Sequence, residues 1–208
     1  MGQEIEIKLH IDDAAQMETV RGFQELAELA ADREVLYRME TVYYDTPKDD
    51  FAERKWTFRR RQENETGVIC LKTPAVPGFG IGVRGEWETT ETDLDKAIAA
   101  LVFSGAPAEL AKLASGGLKE ICGAHFVRRA TLLRLSDGST CELACDAGEL
   151  TGGGQSCRFY EIELELKSGE QTQMQALAQR LKDSFGLREE KRSKFVRARN
   201  LCDAQKGV

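Results

Sequence analysis

Histidine is almost absent from this chain, with two residues among 208. That scarcity argues against a zinc site built from imidazole ligands. Long apolar runs are absent too, so the sequence predicts no membrane-spanning helix. The chain is charged from Glu4 onward, which does not match a secretory leader. We therefore expect a cytoplasmic protein whose six cysteines stay reduced.

Basic residues do not outweigh acidic ones, because the formal net charge is -6 and the sequence pI is about 5.2. This balance argues against nucleic acid or an anionic membrane as the main partner, while leaving room for a local basic site. The loop Gly152-Gly153-Gly154 lacks a following Gly-Lys-Ser/Thr, which excludes a P-loop. Cys141 and Cys145 share an apolar strand parity with Leu143, which favours packing over metal binding.

The first strand sets the pattern of the chain. In Glu4-Ile5-Glu6-Ile7-Lys8, charged and apolar residues alternate without a break, which is typical of a strand with one polar face. Side chains two residues apart lie about 6.6 Å apart along a strand. Two carboxylates at that spacing can share a divalent cation. Alone, the pattern also fits an ordinary solvated strand face, so its recurrence matters.

Alternating segments recur along the chain and are separated by helical patterns. Helical spacing of apolar residues predicts amphipathic helices that cover the apolar strand faces, with Thr92 capping one and Gly186 ending another. No linker or low-complexity segment is present, so one domain is expected over residues 1–208. The predicted strands are 33–45, 56–62, 68–72, 83–88, 125–136, 139–146 and 161–167, and the predicted helices are 13–31, 92–104, 107–113, 170–185 and 190–201.

The signs of charge are segregated between strands. The first and last strands carry almost purely acidic stripes, whereas the middle strands carry Arg or Lys. A solvated face usually mixes both signs with uncharged polar residues. Segregated signs on facing strands instead predict a site for metal cations and a polyanion. A closed antiparallel barrel with a polar lumen would bring the two stripes together.

The order of these motifs resembles the CYTH domain, or triphosphate tunnel metalloenzyme family, and is most similar to its bacterial inorganic triphosphatases. The resemblance covers nearly the whole chain. Its motifs are Glu4-x-Glu6-x-Lys8, Tyr43-Tyr44-Asp45-Thr46-Pro47, Phe58-Arg59-Arg60-Arg61, Leu71-Lys72, Arg84-x-Glu86-x-Glu88, Cys141-Glu142-Leu143-Ala144-Cys145-Asp146-x-Gly148, Glu161-x-Glu163-x-Glu165-x-Lys167 and Ser193-Lys194. Ala130 stands where some relatives have a second basic residue, which puts one phosphate contact in doubt.

The resemblance implies an α+β fold, a closed eight-stranded antiparallel barrel with amphipathic helices packed outside. It implies that Glu4, Glu6 and Glu165 hold one Mg²⁺ or Mn²⁺, and that Glu163, with Asp146, positions a second metal and the attacking water. Lys8 would lie beside them as a base or a water-orienting group. Glu86, Glu88 and Glu142 would orient their basic neighbours. The implied clamp for the phosphates consists of Lys8, Arg59, Arg61, Lys72, Arg84, Arg128 and Lys194.

The expected activity is metal-dependent hydrolysis of inorganic triphosphate to pyrophosphate and phosphate. Three alternatives stay open at this stage: an adenylyl cyclase of the class IV kind, a thiamine triphosphatase, and a non-catalytic module that binds polyphosphate or nucleotide. Cyclisation of ATP would need an adenine pocket, and no sequence feature indicates one. The expected partner is a small phosphate-rich substrate, and the sequence leaves the oligomeric state open.

Overall fold

The computed structural model describes residues 5–75 and 84–203, with the side chains of Ala75 and Arg84 outside the description. Nine strands form one sheet in the order β5-β4-β3-β2-β6-β7-β8-β1-β9, and every neighbouring pair is antiparallel. The strands are β1 (Glu6–Ile11), β2 (Val35–Asp45), β3 (Thr57–Glu63), β4 (Thr66–Ala75), β5 (Arg84–Thr89), β6 (Lys119–Arg134), β7 (Thr140–Gly152), β8 (Gln155–Ser168) and β9 (Arg188–Glu189).

Seven helices accompany the sheet in the described part of the chain: α1 (Ala14–Arg21), α2 (Gln24–Leu29), α3 (Asp50–Glu53), α4 (Leu94–Phe103), α5 (Glu109–Ala114), α6 (Gln171–Phe185) and α7 (Lys194–Asp203). None of the described helices has the length and apolar character needed to cross a bilayer.

The apolar sheet face is covered in two halves. Residues from β1, β7 and β8, such as Leu9 and Leu164, are buried beneath α1, α2 and α6. Residues from β3 and β4, such as Phe58 and Leu71, are buried beneath α3, α4 and α5. Cys141 and Cys145 belong to the first cluster, and all six cysteines are free thiols. The predicted apolar stripes therefore form the core.

The expected antiparallel sheet with accompanying helices is confirmed, but the closed barrel of eight strands is not. A ninth strand, β9, pairs with β1 at Leu9 and His10, on the edge of β1 that does not pair with β8. No pairing among residues 5–75 and 84–203 joins β5 to β1 or β9. The extra strand occupies part of the free edge of β1, and the described sheet is open.

Helix α7 corrects a second part of the prediction, because it packs against β6, β7 and β8 on the face opposite the other helices. Its Ala198 is buried against a cluster from that face, which includes Tyr43, Phe126 and Phe159. The expectation that all helices lie outside therefore fails for this one. Its position brings the C-terminal basic residues onto the charged face of the sheet.

Local differences from the predicted elements have local causes. The helix expected over 13–31 is interrupted, because Phe23 adopts an extended conformation and packs edge-on against Phe185 at a centroid distance of 5.2 Å. Asp93, rather than Thr92, caps α4 by accepting a hydrogen bond of 3.0 Å from the backbone N–H of Lys96. Gly186 ends α6 as predicted, at a φ of 66°.

Candidate active site on the polar face

Alternation along the strands places the charged residues on one side of the sheet, here called the polar face. Acidic residues come from β1, β7 and β8 at one end of the strand order, together with β5 at the other, whereas basic residues come mainly from β3, β4 and β6. Its predicted site residues within the described part are Glu6, Lys8, Arg59, Arg61, Lys72, Glu86, Glu88, Arg128, Glu142, Asp146, Glu163 and Glu165. Helix α7 adds Lys194 to the same face.

Strand register brings the acidic residues together. Glu165 of β8 lies opposite Glu6 on one side and Glu142 on the other. Two residues earlier on β8, and on the same face, Glu163 lies opposite Lys8. Directly opposed residues of antiparallel strands have Cβ atoms about 5 Å apart. The predicted carboxylates of three separate sequence segments therefore share one region of the sheet.

A buried ion-pair network forms the centre of this region. Arg128 donates two hydrogen bonds, of 2.8 and 2.7 Å, to the two carboxylate oxygens of Asp146, and it also contacts Glu163. Lys194 Nζ lies 2.7 Å from Asp146 Oδ2 and 3.0 Å from Glu163 Oε1, and it contacts Glu161. Arg197 contacts the other oxygen of Glu161. Three carboxylates and three cations therefore neutralise one another away from water.

The network shifts the protonation of its members. Burial alone raises the pKa of Glu163, but Lys194, Arg128 and Lys8 outweigh it and hold the pKa well below its usual range. Burial likewise lowers the pKa of Lys194, yet Asp146, Glu163 and Glu161 raise it above its usual value. Glu163 and Lys194 are therefore charged at neutral pH.

The carboxylates of the network lie close enough together to suggest a metal site. Asp146, Glu161 and Glu163 can bring one oxygen each within 4.8 Å of one another. Asp146 and Glu161 are fully buried, however, and their oxygens already bind Lys194, Arg128 or Arg197. A resident cation in that cluster would compete with three protein cations. The tight cluster is therefore better described as an ion-pair network.

Glu6 and Glu165 fit a hard divalent cation better. They lie opposite each other on neighbouring strands, and their side chains are 27% and 30% exposed. Their partners are Lys8, which contacts Glu6, and Lys167, which lies 2.9 Å from Glu165. Carboxylate oxygens are the donors that Mg²⁺ and Mn²⁺ prefer. Glu4, the third predicted ligand of this group, lies outside the described residues.

The basic residues that β3 and β4 contribute to the polar face lie beside the acidic residues that the sequence suggested as their partners. Lys72 Nζ lies 3.1 Å from Glu86, and Arg59 lies 3.9 Å from Glu88. Arg59 Nε is buried and makes no hydrogen bond within the described residues. Glu142 lies 3.7 Å from Lys167. Arg84 begins β5, but its side chain is outside the described part.

Arg61 of β3 lies apart from the buried ion-pair network. Its Nε donates to Thr41 Oγ1 at 3.2 Å, and the nearest carboxylate recorded for it is Glu63 at 3.6 Å. Burial lowers its pKa, and the neighbouring Arg59 and Arg128 lower it further. The Arg61 side chain is 11% exposed, and Glu63 offers it a single carboxylate contact at 3.6 Å, so its charge is only partly balanced, which is a favourable setting for an anion.

Sequence reasoning missed two members of the buried network, Glu161 and Arg197. Glu161 belongs to the same acidic stripe as Glu163, so its parity gave a signal, but it was not assigned to the site. Arg197 lies one turn after Lys194 on α7, and its Nε is buried without a hydrogen bond among the described residues. Only the position of α7 on the polar face shows that both residues meet there.

Comparison with known proteins identifies the family. The model of the CYTH domain matches residues 2–198. The chain belongs to the CYTH domain family. This assignment agrees with the antiparallel sheet, the helices beside it and the order of charged motifs along the strands.

One curated protein and several solved structures are similar to most of this chain. An inorganic triphosphatase from Haemophilus influenzae is 31% identical over 169 residues, which is 81% of this chain and 46% of that protein. The chain thus spans about half the length of this curated relative. A proposed adenylyl cyclase from Hippeastrum, described as having a dominant triphosphatase activity, has a TM-score of 0.61 at 20% identity, covering 95% of each chain. A proposed adenylate cyclase from Bacillus halodurans has a TM-score of 0.55 at 14% identity, covering 92% of this chain and 96% of its own.

Proposed function

We propose that this CYTH domain hydrolyses inorganic triphosphate to pyrophosphate and phosphate with the help of Mg²⁺ or Mn²⁺. The observation that carries the proposal is the segregation of charge on the polar face. Carboxylates of β1, β7 and β8 gather at one end of the strand order. Arg128 of the neighbouring β6 pairs with them, and the cations of β3 and β4 follow beyond β2 on the same face. The relative from Haemophilus influenzae, an inorganic triphosphatase, supports the same substrate.

The basic residues supply an anion clamp. Arg61 is only partly balanced by Glu63 at 3.6 Å, and the Nε atoms of Arg59 and Arg197 are buried donors that make no hydrogen bond within the described part. A buried donor without a partner is costly, and phosphate oxygens would satisfy it. Lys72, Arg84, Arg128 and Lys194 complete the clamp. Guanidinium and ammonium groups held in place before the reaction stabilise charge that develops on the phosphates.

Lys8 and Glu163 lie opposite each other on β1 and β8, and this closeness supports a shared role at the attacking water. The pKa of Glu163 is held well below its usual range, so this carboxylate is a weak proton acceptor at neutral pH. We therefore assign Glu163 to orienting the attacking water by accepting its hydrogen bond. Lys8 contacts Glu6, beside the proposed metal carboxylates, and it donates to the substrate or to that water.

Glu6 and Glu165, joined by Glu4, would hold the divalent cation. When bound, the cation neutralises phosphate oxygens and orients the phosphate chain. Asp146 acts instead through Arg128 and Lys194, because both cations already bind its two oxygens. Glu86 and Glu88 keep Lys72 and Arg59 in place, and Glu142 keeps Lys167 beside Glu165.

One substrate screen tests the proposal. Purified protein is incubated with triphosphate, ATP or thiamine triphosphate, each with Mg²⁺, with Mn²⁺ or with a chelator. Phosphate, pyrophosphate and cyclic AMP are followed. The Glu163→Gln variant, purified in the same way, reports any contaminating phosphatase.

We expect phosphate and pyrophosphate from triphosphate, only with a metal, and almost none from the variant. Cyclic AMP from ATP would favour a cyclase and contradict the proposal. Faster hydrolysis of thiamine triphosphate than of inorganic triphosphate would make thiamine triphosphate the substrate instead. Tight binding of triphosphate without turnover would identify a binding module.

A further inference from the structure

Phe126 stands among the cations of the polar face although it is an apolar residue. It lies on β6, two residues before Arg128, and is 5% exposed. Three cations approach its ring: Lys194 Nζ at 5.0 Å from the centroid, the Arg128 guanidinium carbon at 5.9 Å and the Arg61 guanidinium carbon at 6.0 Å. These cations come from three elements, β3, β6 and α7.

A neighbouring ring fixes the orientation of Phe126. Phe159 of β8 packs against it edge to face, with centroids 5.6 Å apart and an interplanar angle of 67°. Phe159 in turn has Lys194 at 5.5 Å and Arg197 at 5.3 Å from its own centroid. Edge-to-face packing is favourable for two aromatic quadrupoles and leaves ring faces for other partners.

The three cations differ in how much they need the ring. Lys194 and Arg128 are held by carboxylates at hydrogen-bond distance. Among the described residues, the polar partners of Arg61 are Thr41 at 3.2 Å and Glu63 at 3.6 Å, and two other arginines repel it. The negative face of an aromatic ring attracts a cation within about 6 Å, and the attraction grows when the cation is desolvated. Phe126 therefore offers Arg61 an attraction that the acidic network does not.

We propose that Phe126 is a positioning residue, whose ring holds Arg61, Arg128 and Lys194 together so that they receive a polyphosphate as one clamp. This inference rests on the proposed triphosphatase function for the nature of the ligand. It assigns no contact between Phe126 and substrate. Grouping like charges before binding leaves less reorganisation to be done when the anion arrives.

The first test changes the electrostatics of the ring with little change in its shape. Phe126 is replaced by phenylalanines with one and then three ring fluorines, which withdraw electron density from the ring face. We expect KM for triphosphate to rise stepwise, several-fold in total, while kcat stays near that of wild type. Loss of an interaction made equally in the ground and transition states has this kinetic signature. The melting temperature should fall in step with the fluorine count, because the same attraction between ring and cations stabilises the folded protein.

Phe126→Leu and Phe51→Leu form the matched pair for packing. Phe51 is 1% exposed in the apolar cluster beneath α3, α4 and α5, away from the polar face. Both variants should lose stability, but only Phe126→Leu should raise KM. An unchanged KM across the fluorinated series, or an equal rise of KM in Phe51→Leu, would overturn the proposal.

The second test needs no substrate. A double-mutant cycle of Phe126→Leu with Arg61→Gln is measured by urea unfolding, and Arg60→Gln replaces Arg61→Gln in the control cycle. Arg60 is the exposed neighbour that points to the opposite face. We expect the first cycle to show a coupling of about two- to thirtyfold in the unfolding equilibrium constant and the control to show none. Equal coupling in both cycles, or none in either, would refute the role of the ring.

The two tests separate this inference from the proposed function. A wild-type protein that neither binds nor hydrolyses triphosphate would end the proposed function, whereas the unfolding cycle would still report whether the ring holds Arg61. Coupling combined with normal triphosphate kinetics in the fluorinated proteins would end the positioning role and leave the function standing.

Discussion

Arg128 and Asp146 lie directly opposite each other on β6 and β7 and share two parallel hydrogen bonds, of 2.8 and 2.7 Å. Lys194 reaches the same carboxylate from α7. Asp146 is fully buried, so it meets these cations with no contribution from solvent. The pair links the sheet to the C-terminal helix at the centre of the polar face.

Asp146→Asn should therefore destabilise the protein by about 3 kcal/mol, because it removes one side of a buried charge pair. Urea unfolding in the presence of a chelator measures this loss. Glu149→Gln is the matched control on β7, where the partner Arg158 is exposed and 3.9 Å away, and it should cost less than about 0.5 kcal/mol. If the Asp146→Asn protein is more stable than wild type without metal, the protein cations do not balance the charge of Asp146, and Asp146 is then better explained as a metal ligand.

Glu165→Gln should abolish triphosphate hydrolysis while leaving the chelator-treated protein about as stable as wild type. The Glu165 side chain is partly exposed, and its Lys167 partner is too. Mg²⁺ or Mn²⁺ should then raise the melting temperature of wild type more than that of the variant, since a ligand of the folded state stabilises it by mass action. Glu109→Gln, in the first turn of α5, should behave as wild type. If metal raises the melting temperatures of Glu165→Gln and wild type equally and the variant keeps its activity, Glu165 is not a metal ligand.

Arg61→Gln and Arg60→Gln compare two neighbouring arginines on opposite faces of β3. Arg61→Gln should raise KM for triphosphate about tenfold or more, because it removes a charged hydrogen-bond donor from the clamp. Its stability should be unchanged or slightly higher, since burial and like charges already lower the pKa of Arg61. Arg60→Gln should leave KM within about twofold of wild type. Steady-state kinetics measures both KM values. An equal rise of KM in the two variants would mean that the two faces of β3 were assigned wrongly.

Gly152→Ala should displace α7 from the sheet. A Cβ at this position would lie 2.4 Å from the carbonyl oxygen of Ala198, and that backbone atom cannot move aside alone. We expect a loss of about 1–3 kcal/mol in unfolding free energy and a clear fall in kcat/KM, because Lys194 moves with its helix. Gly116→Ala, where nothing lies within 4 Å, is the control for adding a methyl group to a glycine. Full activity in Gly152→Ala would show that α7 does not fix the clamp.

Glu190 makes the free energy of unfolding depend on pH in the acid range. Hydrogen bonds from Arg192 lower the pKa of Glu190 from 4.5 to about 2, against a smaller opposing effect of burial. A lowered folded-state pKa contributes stability above the unfolded pKa, and that stability disappears as pH falls from about 4.5 to about 2. Arg192 is exposed, so the contribution should be about 1 kcal/mol or less. Glu190→Gln should show a flatter loss of stability across this pH window in denaturant unfolding, and a slope equal to that of wild type would contradict the assignment.

The sequence by itself determined which residues share a strand face. Side chains alternate along any extended strand, so the parity of Glu6 and Lys8, or of Glu163 and Glu165, places them on one side regardless of the neighbouring strand. The order of motifs likewise indicated the family. The same rule places Ile7 of β1 on the opposite, apolar face, where it packs against the cluster beneath α1, α2 and α6.

Only the tertiary structure decided which charges meet. The pairing of Arg128 with Asp146, and of Lys194 with Glu161, joins residues far apart in the chain, and local periodicity contains no information on that register. The same holds for β9, which occupies part of an edge of β1 in the open sheet, and for α7, whose amphipathic pattern does not say which sheet face it will cover. Strand order and helix docking depend on the summed packing of distant segments, and that sum exists only in the folded chain.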